Sequence, residues 1–390
     1  MMHDGYGNIA WFRAVVKILS GVFFSVSLLF RIDFRRSRCM LLAVIFRRCA
    51  MPLLDVKNLS VQFRTDGGLQ PTVTDISFTL ERGEMLALVG ESGCGKSVTC
   101  MSLARLLPEP PVVLSGEVLL DRGPEHGGVA DVLKLNERSL RQVRGGCISY
   151  IFQEPSVSLN PVFRVGDQIA EAVRLHRKDV SDPFVEAVEL LRQVGIPDPA
   201  NRAKQYPHEM SGGMQQRVMI AMALGCAPSI LVADEPTTAL DVTIQAQILD
   251  LLLSLKRDRG MAVILVTHNL GIVAELADRV AVMYAGRIIE TAPVAELIAN
   301  PVHPYTSALI RAVPVLGGEH NRLSTIRGTV PSPDKFGRGC RFCDRCDHAD
   351  SLTPEQRRLC MEEPPVLRDI VPGHACACHF PPCMTAGKEA

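Results

Sequence analysis

An excess of charge of either sign is missing from this chain: 42 basic residues stand against 42 acidic ones, so the formal net charge is zero. Nothing in that balance points to a polyanion, and nucleic acid is not expected as a partner. Internal repeats and low-complexity segments are absent too, which sets aside repeat architectures and extended polar tails as the organising plan. Near the N-terminus the apolar stretch from Ile18 to Phe30 is too short for a stable membrane span. As a helix it covers roughly 20 Å at about 1.5 Å per residue, against a hydrocarbon core of about 30 Å. What the chain does have is 390 residues, 47% of them hydrophobic, enough for a full core and two to three domains.

The apolar run Met85-Leu86-Ala87-Leu88-Val89 reads as a buried strand, and it leads into Gly90-Glu91-Ser92-Gly93-Cys94-Gly95-Lys96-Ser97. This G-x-x-x-x-G-K-S pattern between a strand and a helix is a phosphate cradle. Glycines let backbone N–H groups turn toward phosphate oxygens, Lys96 supplies a point charge, and the Ser97 hydroxyl can ligate Mg2+. The helix is expected from Ser97 to Leu107.

Before the loop, alternating runs between Leu53 and Leu80, broken at Asp66-Gly67-Gly68, predict a small antiparallel layer. After it come strands at Gly116 to Leu120 and Gly146 to Phe152, and a helix-rich middle from Val165 to about Gln205. Apolar strands then return at Ile230 to Ala233 and Val263 to Val266. The alternation implies α/β architecture with a mostly parallel sheet covered by helices.

Four further positions carry chemistry. Gln153 closes the run Ser149 to Phe152, where its side chain can reach Mg2+ or the attacking water. Asp234 and Glu235 leave the strand Ile230 to Ala233 at its carboxyl end, the edge at which ligands gather in open parallel sheets. Asp234 can hold Mg2+ through a water and Glu235 can orient or deprotonate the attacking water. His268, after Val263 to Thr267, is read as a donor to the γ-phosphate. Ser211-Gly212-Gly213 before the run Gln215 to Met222 makes a second helix start suited to an anion. Two such starts in one chain are used most economically by a head-to-tail dimer, ATP lying between the Lys96 loop of one subunit and the Ser211 turn of the other. Asp241 falls near that interface. Phe63 reads either as a stacking partner for adenine or as a core residue.

In this order the phosphate loop, Gln153, Ser211-Gly212-Gly213, Asp234-Glu235, Asp241 and His268 resemble the ABC transporter ATPases over residues 51 to about 300. The fold so implied is a P-loop NTPase with a small antiparallel β subdomain and a helical subdomain at about 153–215. Where the family has Leu-Ser-Gly-Gly-Gln, this chain has Met210-Ser211-Gly212-Gly213-Met214; the residues that touch phosphate are intact.

Narrower matches are Phe152-Gln153-Glu154-Pro155 with Ser158-Leu159-Asn160-Pro161, Tyr206 to Met214, and Asn300-Pro301-Val302-His303-Pro304-Tyr305-Thr306. These resemble the dipeptide/oligopeptide/nickel importer ATPases. Met214 and Val218 to Leu224 are more similar to the first of that group's two paired subunits. The resemblance implies ATP-driven import at the cytoplasmic face of the membrane, with a second ATPase subunit, two permeases and an external solute-binding protein. A soluble ATPase acting on nucleic acid or ribosomes is the alternative; it predicts a coiled-coil insertion between Lys96 and Ser211, or a second cassette, and neither is present. A third reading makes the chain a metal-sensing or redox protein in which ATP is regulatory.

The third reading comes from the tail. Thirteen cysteines are unevenly placed, seven of them from Cys340 to Cys383. Within residues 301–390, read as an appended extension, Cys340, Cys346, Cys360 and Cys378 match that family's four-cysteine tail. The resemblance implies a 4Fe-4S cluster on four thiolates; zinc takes the same ligand set, and unmetallated thiols are the third choice. Cys343 is a substitute ligand, and Cys376 and Cys383 are extra. Residues 1–50, with Arg31, Arg35, Arg36, Arg38, Arg47 and Arg48 around the apolar stretch, fit a secretory signal by length, but export would part the enzyme from its ATP. Translation is expected to start at Met51.

Overall fold

Alternating and continuous apolar runs set the strands of this chain, whose computed structural model describes residues 51–124, 127–237, 241–313 and 326–382. The readings on residues 1–50 and Cys383 lie outside these residues. β1 (Leu54–Thr65) and β2 (Gly68–Leu80) form a hairpin across the Asp66-Gly67 turn, and β4 (Val112–Asp121) and β5 (Val129–Asp131) complete an antiparallel sheet in the order β2-β1-β4-β5. Its inward residues Leu54, Val56, Leu59, Val61, Val118 and Leu120 are buried, each worth roughly 1.5–3 kcal/mol against exposure. The ladder between β1 and β4 shifts register at Lys57/Ser60, where Gly116 lies so close to Asn58 that a Cβ would come within 2.5 Å of its carbonyl oxygen.

The main sheet is continuous and mostly parallel. β3 (Met85–Val89), β6 (Ile148–Ile151), β7 (Ile230–Asp234), β8 (Ala262–Thr267) and β9 (Arg279–Tyr284) all run the same way. β10 (Arg287–Pro293), β11 (Arg368–Val371) and β12 (His374–Cys376) are added antiparallel, giving the order β11-β12-β10-β9-β3-β8-β7-β6. Every residue of β3 and β8 is buried, as expected of central strands with both faces covered. In the register Val89 pairs with Thr267, Val266 with Asp234, and Ala233 with Ile151. The residues that follow β3, β8, β7 and β6 therefore emerge along one edge.

One face is covered by the helices Val165–His176, Pro183–Gln193 and Gly212–Gly225. Their Ile169, Val173, Leu190, Leu191, Val218 and Leu224 pack in one core with Leu231, Val263 and Leu265. Asp182 caps the middle helix by accepting from the N–H groups of Phe184 and Val185, worth about 1 kcal/mol. The helix after the phosphate loop is shorter than its sequence predicts, Lys96–Ser102. Arg105 adopts a left-handed φ of 49° and the Leu106 N–H bonds the Met101 carbonyl at 2.9 Å, a closure that ends a helix. Arg105 is held there by a 2.8 Å bond from its guanidinium to the Leu135 carbonyl.

Besides the β10–β12 ladder, one buried acid ties the end of the chain to the main sheet. Glu290, on β10 opposite Cys376 of β12, is fully buried. Its Oε1 accepts from the Val302 N–H at 2.7 Å and lies 2.7 Å from His374 Nε2, while Oε2 accepts from the His303 N–H at 2.9 Å. His303 in turn accepts from the Tyr305 N–H at 3.0 Å, and burial lowers its imidazole to about 3, so it stays a neutral acceptor. No helix among the described residues is long and apolar enough to cross a membrane.

Candidate active site

The loop after β3 is shaped by close backbone approach. Gly90 has a φ of 154°, and a Cβ there would run into the Met283 carbonyl; Gly95, at 103°, opens the helix that begins with Lys96. Ser92 and Gly93 are exposed, whereas Cys94, Gly95 and Lys96 are buried. The Lys96 ammonium donates to the carbonyls of Gly90 at 2.8 Å and Glu91 at 2.9 Å, with Cys94 Sγ at 3.8 Å. Burial keeps the Cys94 thiol protonated, raising its pKa, so beside Lys96 it is a neutral neighbour.

Gln153, Asp234, Glu235 and His268 meet at the carboxyl edge of β6, β7 and β8. Gln153 Nε2 donates to Glu235 Oε2 at 3.2 Å, and His268 Nδ1 lies 3.2 Å from Glu235 Oε1. The Glu235 side chain is 16% exposed and that of His268 66% exposed. Glu235 itself holds a left-handed φ of 47°, a strained conformation for a non-glycine residue of the sort found at functional sites. Such a carboxylate, oriented by two partners, is placed to accept a proton from water. With Nδ1–H on Glu235, the His268 Nε2 is an acceptor when the ring is neutral and a donor once it is protonated.

Asp234 is suited to a divalent cation. Burial raises its pKa, opposed by a hydrogen bond from the Ser97 side chain and by the Lys96 charge, with the Glu235 carboxylate raising it further. Its Oδ1 is buried without a hydrogen-bond partner. A buried, unpartnered carboxylate oxygen beside the Ser97 hydroxyl fits Mg2+, which favours one or two carboxylates with phosphate and water oxygens. Bound there, Mg2+ supplies positive charge against the phosphates.

The remaining nucleotide candidates lie elsewhere. Ser211 is the N-cap of Gly212–Gly225, its hydroxyl accepting from the Met214 N–H at 3.4 Å, and Ser211 and Gly212 are exposed. Gly213 packs against Ile244, whose Cγ2 would be 3.0 Å from a Cβ. Asp241 caps the helix Val242–Arg259, accepting from the Ile244 N–H at 2.9 Å. Phe63 packs half-buried against the core that includes the antiparallel sheet.

In the extension five thiols line one pocket: Cys340, Cys343, Cys346, Cys360 and Cys378, among Phe342, Leu352, Phe380, His303, His348 and His379. Cys376 is buried in β12 instead. Burial, reinforced by neighbouring thiols, pushes Cys340 and Cys378 to about 12 and Cys360 to about 11. Among the described residues no three His, Cys, Asp or Glu side chains are set to hold a metal ion as they stand. Thiols become metal ligands only as thiolates, the form that positive charge beside them would favour.

Two residues that reach the phosphate loop were not read as site residues: Arg345 carries no sequence signal, and Tyr305 lies in the 300–306 match without pointing to the loop. Arg345, in the extension, makes a forked ion pair with Glu91 of the phosphate loop, both N–O distances being 3.0 Å, and Tyr305 OH accepts from the Glu91 N–H at 3.0 Å. These partners are 254 and 214 positions apart, beyond any local pattern.

Comparison with known proteins gives the family and the fold. Residues 73–238 match the ABC transporter family and residues 289–351 the C-terminal region of oligopeptide/dipeptide transporters. The chain is 50% identical over 328 residues, 84% of its length and 94% of the relative's, to a probable peptide ABC transporter ATP-binding protein, y4tR, of Sinorhizobium fredii. It is also 50% identical over 305 residues, 76% and 90% of the two lengths, to a putative peptide import ATP-binding protein of Brucella ovis. Among solved structures it is similar to the ATP-binding cassette MJ0796 in a dimeric post-hydrolysis state bound to ADP and Pi, with a TM-score of 0.54 and 25% identity over 62% of this chain and 98% of that one. A further match is cbiO1 from Clostridium perfringens, with a TM-score of 0.53 and 26% identity over 64% and 92%.

Proposed function

This chain belongs to the ABC transporter ATPases that carry an oligopeptide/dipeptide transporter C-terminal region, and from that premise we propose that it hydrolyses ATP to power import of di- or oligopeptides. The observation that carries the reading is the meeting of Gln153, Glu235 and His268 in one hydrogen-bonded set, in a chain half identical to peptide import ATPases. Glu235 is the base for the attacking water, Gln153 orients it, and His268 serves the γ-phosphate. Gly90, Ser92, Gly93, Cys94, Gly95, Lys96 and Ser97 cradle the phosphates, and Ser97, Asp234 and Gln153 hold Mg2+.

Residues 51–300 form the nucleotide-binding domain and 301–390 the extension. Ser211, Gly212 and Gly213 serve the nucleotide of a neighbouring ATPase subunit, with Asp241 beside that interface. The free exposure of Ser211 and Gly212 and the dimeric state of the similar MJ0796 cassette support it. Phe63, only half-buried, serves adenine. The chain works at the cytoplasmic face as the first of two paired ATPases, with two permeases and, through them, a solute-binding protein. In mild detergent, tagged Glu235→Gln protein with ATP should retain two multi-spanning permeases and a second ATPase. A ribosome, DNA, or nothing from the membrane in that eluate would refute the importer reading.

For the thiol pocket we favour a 4Fe-4S cluster on Cys340, Cys346, Cys360 and Cys378, with Cys343 as the substitute ligand. Four thiolates about 2.3 Å from one zinc must crowd to within about 4 Å of each other, whereas a cluster spreads them over the corners of a larger body. Five thiols lining one pocket, four of them matching the importer family's cysteine tail, support the cluster. Anaerobic purification should give a brown protein with matching iron and sulfide; a colourless one with stoichiometric zinc would reverse the order.

A further inference from the structure

Glu91 places a carboxylate inside the loop that must accept a triphosphate, an unfavourable neighbour for a polyanion. In this chain the carboxylate is answered from the far end of the sequence. Arg345 Nη1 and Nη2 each donate to one Glu91 carboxylate oxygen at 3.0 Å. Its remaining N–H groups go to Tyr284 OH at 3.2 Å and to the carbonyls of Arg327 at 2.5 Å and Gly328 at 3.2 Å. All five donors of the fork are thereby used, and the side chain is 8% exposed. The guanidinium also lies 5.6 Å from the Tyr284 ring centroid, in a cluster where Tyr284, Tyr305 and Phe342 rings pack with centroids 4.8–5.3 Å apart.

The backbone of Glu91 is held from the same side. Its N–H donates to Tyr305 OH, and its carbonyl accepts from Lys96. One residue of the loop therefore joins the lysine that serves the phosphates to a guanidinium of the extension. Arg345 sits between Cys343 and Cys346, at the end of the short turn Cys343–Arg345, so the arm that reaches Glu91 grows from the wall of the thiol pocket.

We infer that Arg345 is a positioning residue of the nucleotide site: by neutralising Glu91 and fixing its fork geometry it sets MgATP affinity, and it couples the phosphate loop to the thiol-bearing turn. This rests on the loop as the MgATP phosphate site. By linkage, whatever orders the turn tightens nucleotide binding, and nucleotide orders the turn to the same degree.

The test is calorimetric titration of the purified full-length chain with MgATP. Arg345→Met, which leaves a bare carboxylate in the loop, should weaken affinity at least tenfold, or about 1.4 kcal/mol. Arg345→Lys keeps the charge but loses the fork and should fall in between. Glu91→Gln combined with Arg345→Met removes the repulsion with its counter-charge and should return to within about threefold of the parent. A role confined to packing predicts instead that the double variant is at least as weak as Arg345→Met. That result, or unchanged affinity in Arg345→Met or, if it does not fold, in Arg345→Lys, overturns the inference. Amide hydrogen exchange across the turn at 343–346 should slow at saturating MgATP in the parent and not in Arg345→Met; no MgATP effect in the parent removes the coupling. Lys96→Ala separates the two levels: if it binds MgATP normally, the reading of the loop fails rather than the role of Arg345.

Discussion

Replacing Glu235 by glutamine lowers ATP turnover at least about a hundredfold while leaving MgATP bound. The substitution keeps the shape and removes the charge, one acceptor oxygen and the proton affinity. Glutamine has nearly the same shape and keeps an oxygen for a bond such as the one from Gln153 Nε2, now 3.2 Å long, but it cannot take a proton from water. The left-handed backbone at Glu235 is held by a bond from its own N–H to the Val266 carbonyl at 2.9 Å, so the side chain should stay in place. Phosphate release measured beside nucleotide retention separates the effects. Turnover equal to that of the parent would remove Glu235 from the role of base and leave its bonds to Gln153 and His268 as scaffolding. His268→Ala should cost less, because that side chain is two-thirds exposed and water can replace part of what it offers.

Glu290→Met should destabilise the chain by about 3 kcal/mol or more, since each buried hydrogen-bonding group left unsatisfied costs about 1–3 kcal/mol. The acid has no exposed surface, and its loss strands three buried donors: the N–H groups of Val302 and His303, and the ring of His374. The three donors belong to two parts of the attachment. Val302 and His303 lead into the helix Pro304–Arg311 that presents Tyr305 to the phosphate loop, and His374 opens β12. Methionine matches the length of the side chain, so the expected loss comes from unmet hydrogen bonds more than from a cavity. Urea unfolding read by tryptophan-independent circular dichroism gives the number; a change below about 1 kcal/mol would mean that water or a relaxed backbone satisfies these groups.

Much of the site was readable along the chain because its chemistry is local. A phosphate loop needs glycines, a lysine and a hydroxyl within eight positions, and the strand in front of it is a continuous apolar run. The acids, the glutamine and the histidine each directly follow such a run, so their common edge follows from parallel pairing, which short apolar strands separated by helical segments already imply. The helix after the loop was read too long because Ser97 to Leu107 has no proline or glycine to stop it. The stop comes from Arg105, anchored to Leu135 thirty positions away.

The capping duties of Ser211 and Asp241 were likewise hidden, since a serine or aspartate before a helix serves its own backbone or a ligand with the same atoms. Cysteine spacing told which thiols stand near one another in sequence, but five of them share a wall only because the turn at 343–346, the helix Pro354–Glu362 and the segment after β12 fold back together.

By itself, then, the sequence determined β1 to β4 and β6 to β8, though not β5 or β9 to β12, together with the phosphate loop and the carboxyl-edge residues, because each depends on side chains within a few positions of one another. Only the tertiary structure decided that Glu290 ties the extension into the main sheet and that Arg345 reaches Glu91. Those contacts join residues up to 254 positions apart, and a charge far along a chain carries no mark of its partner until burial forces the two to pair.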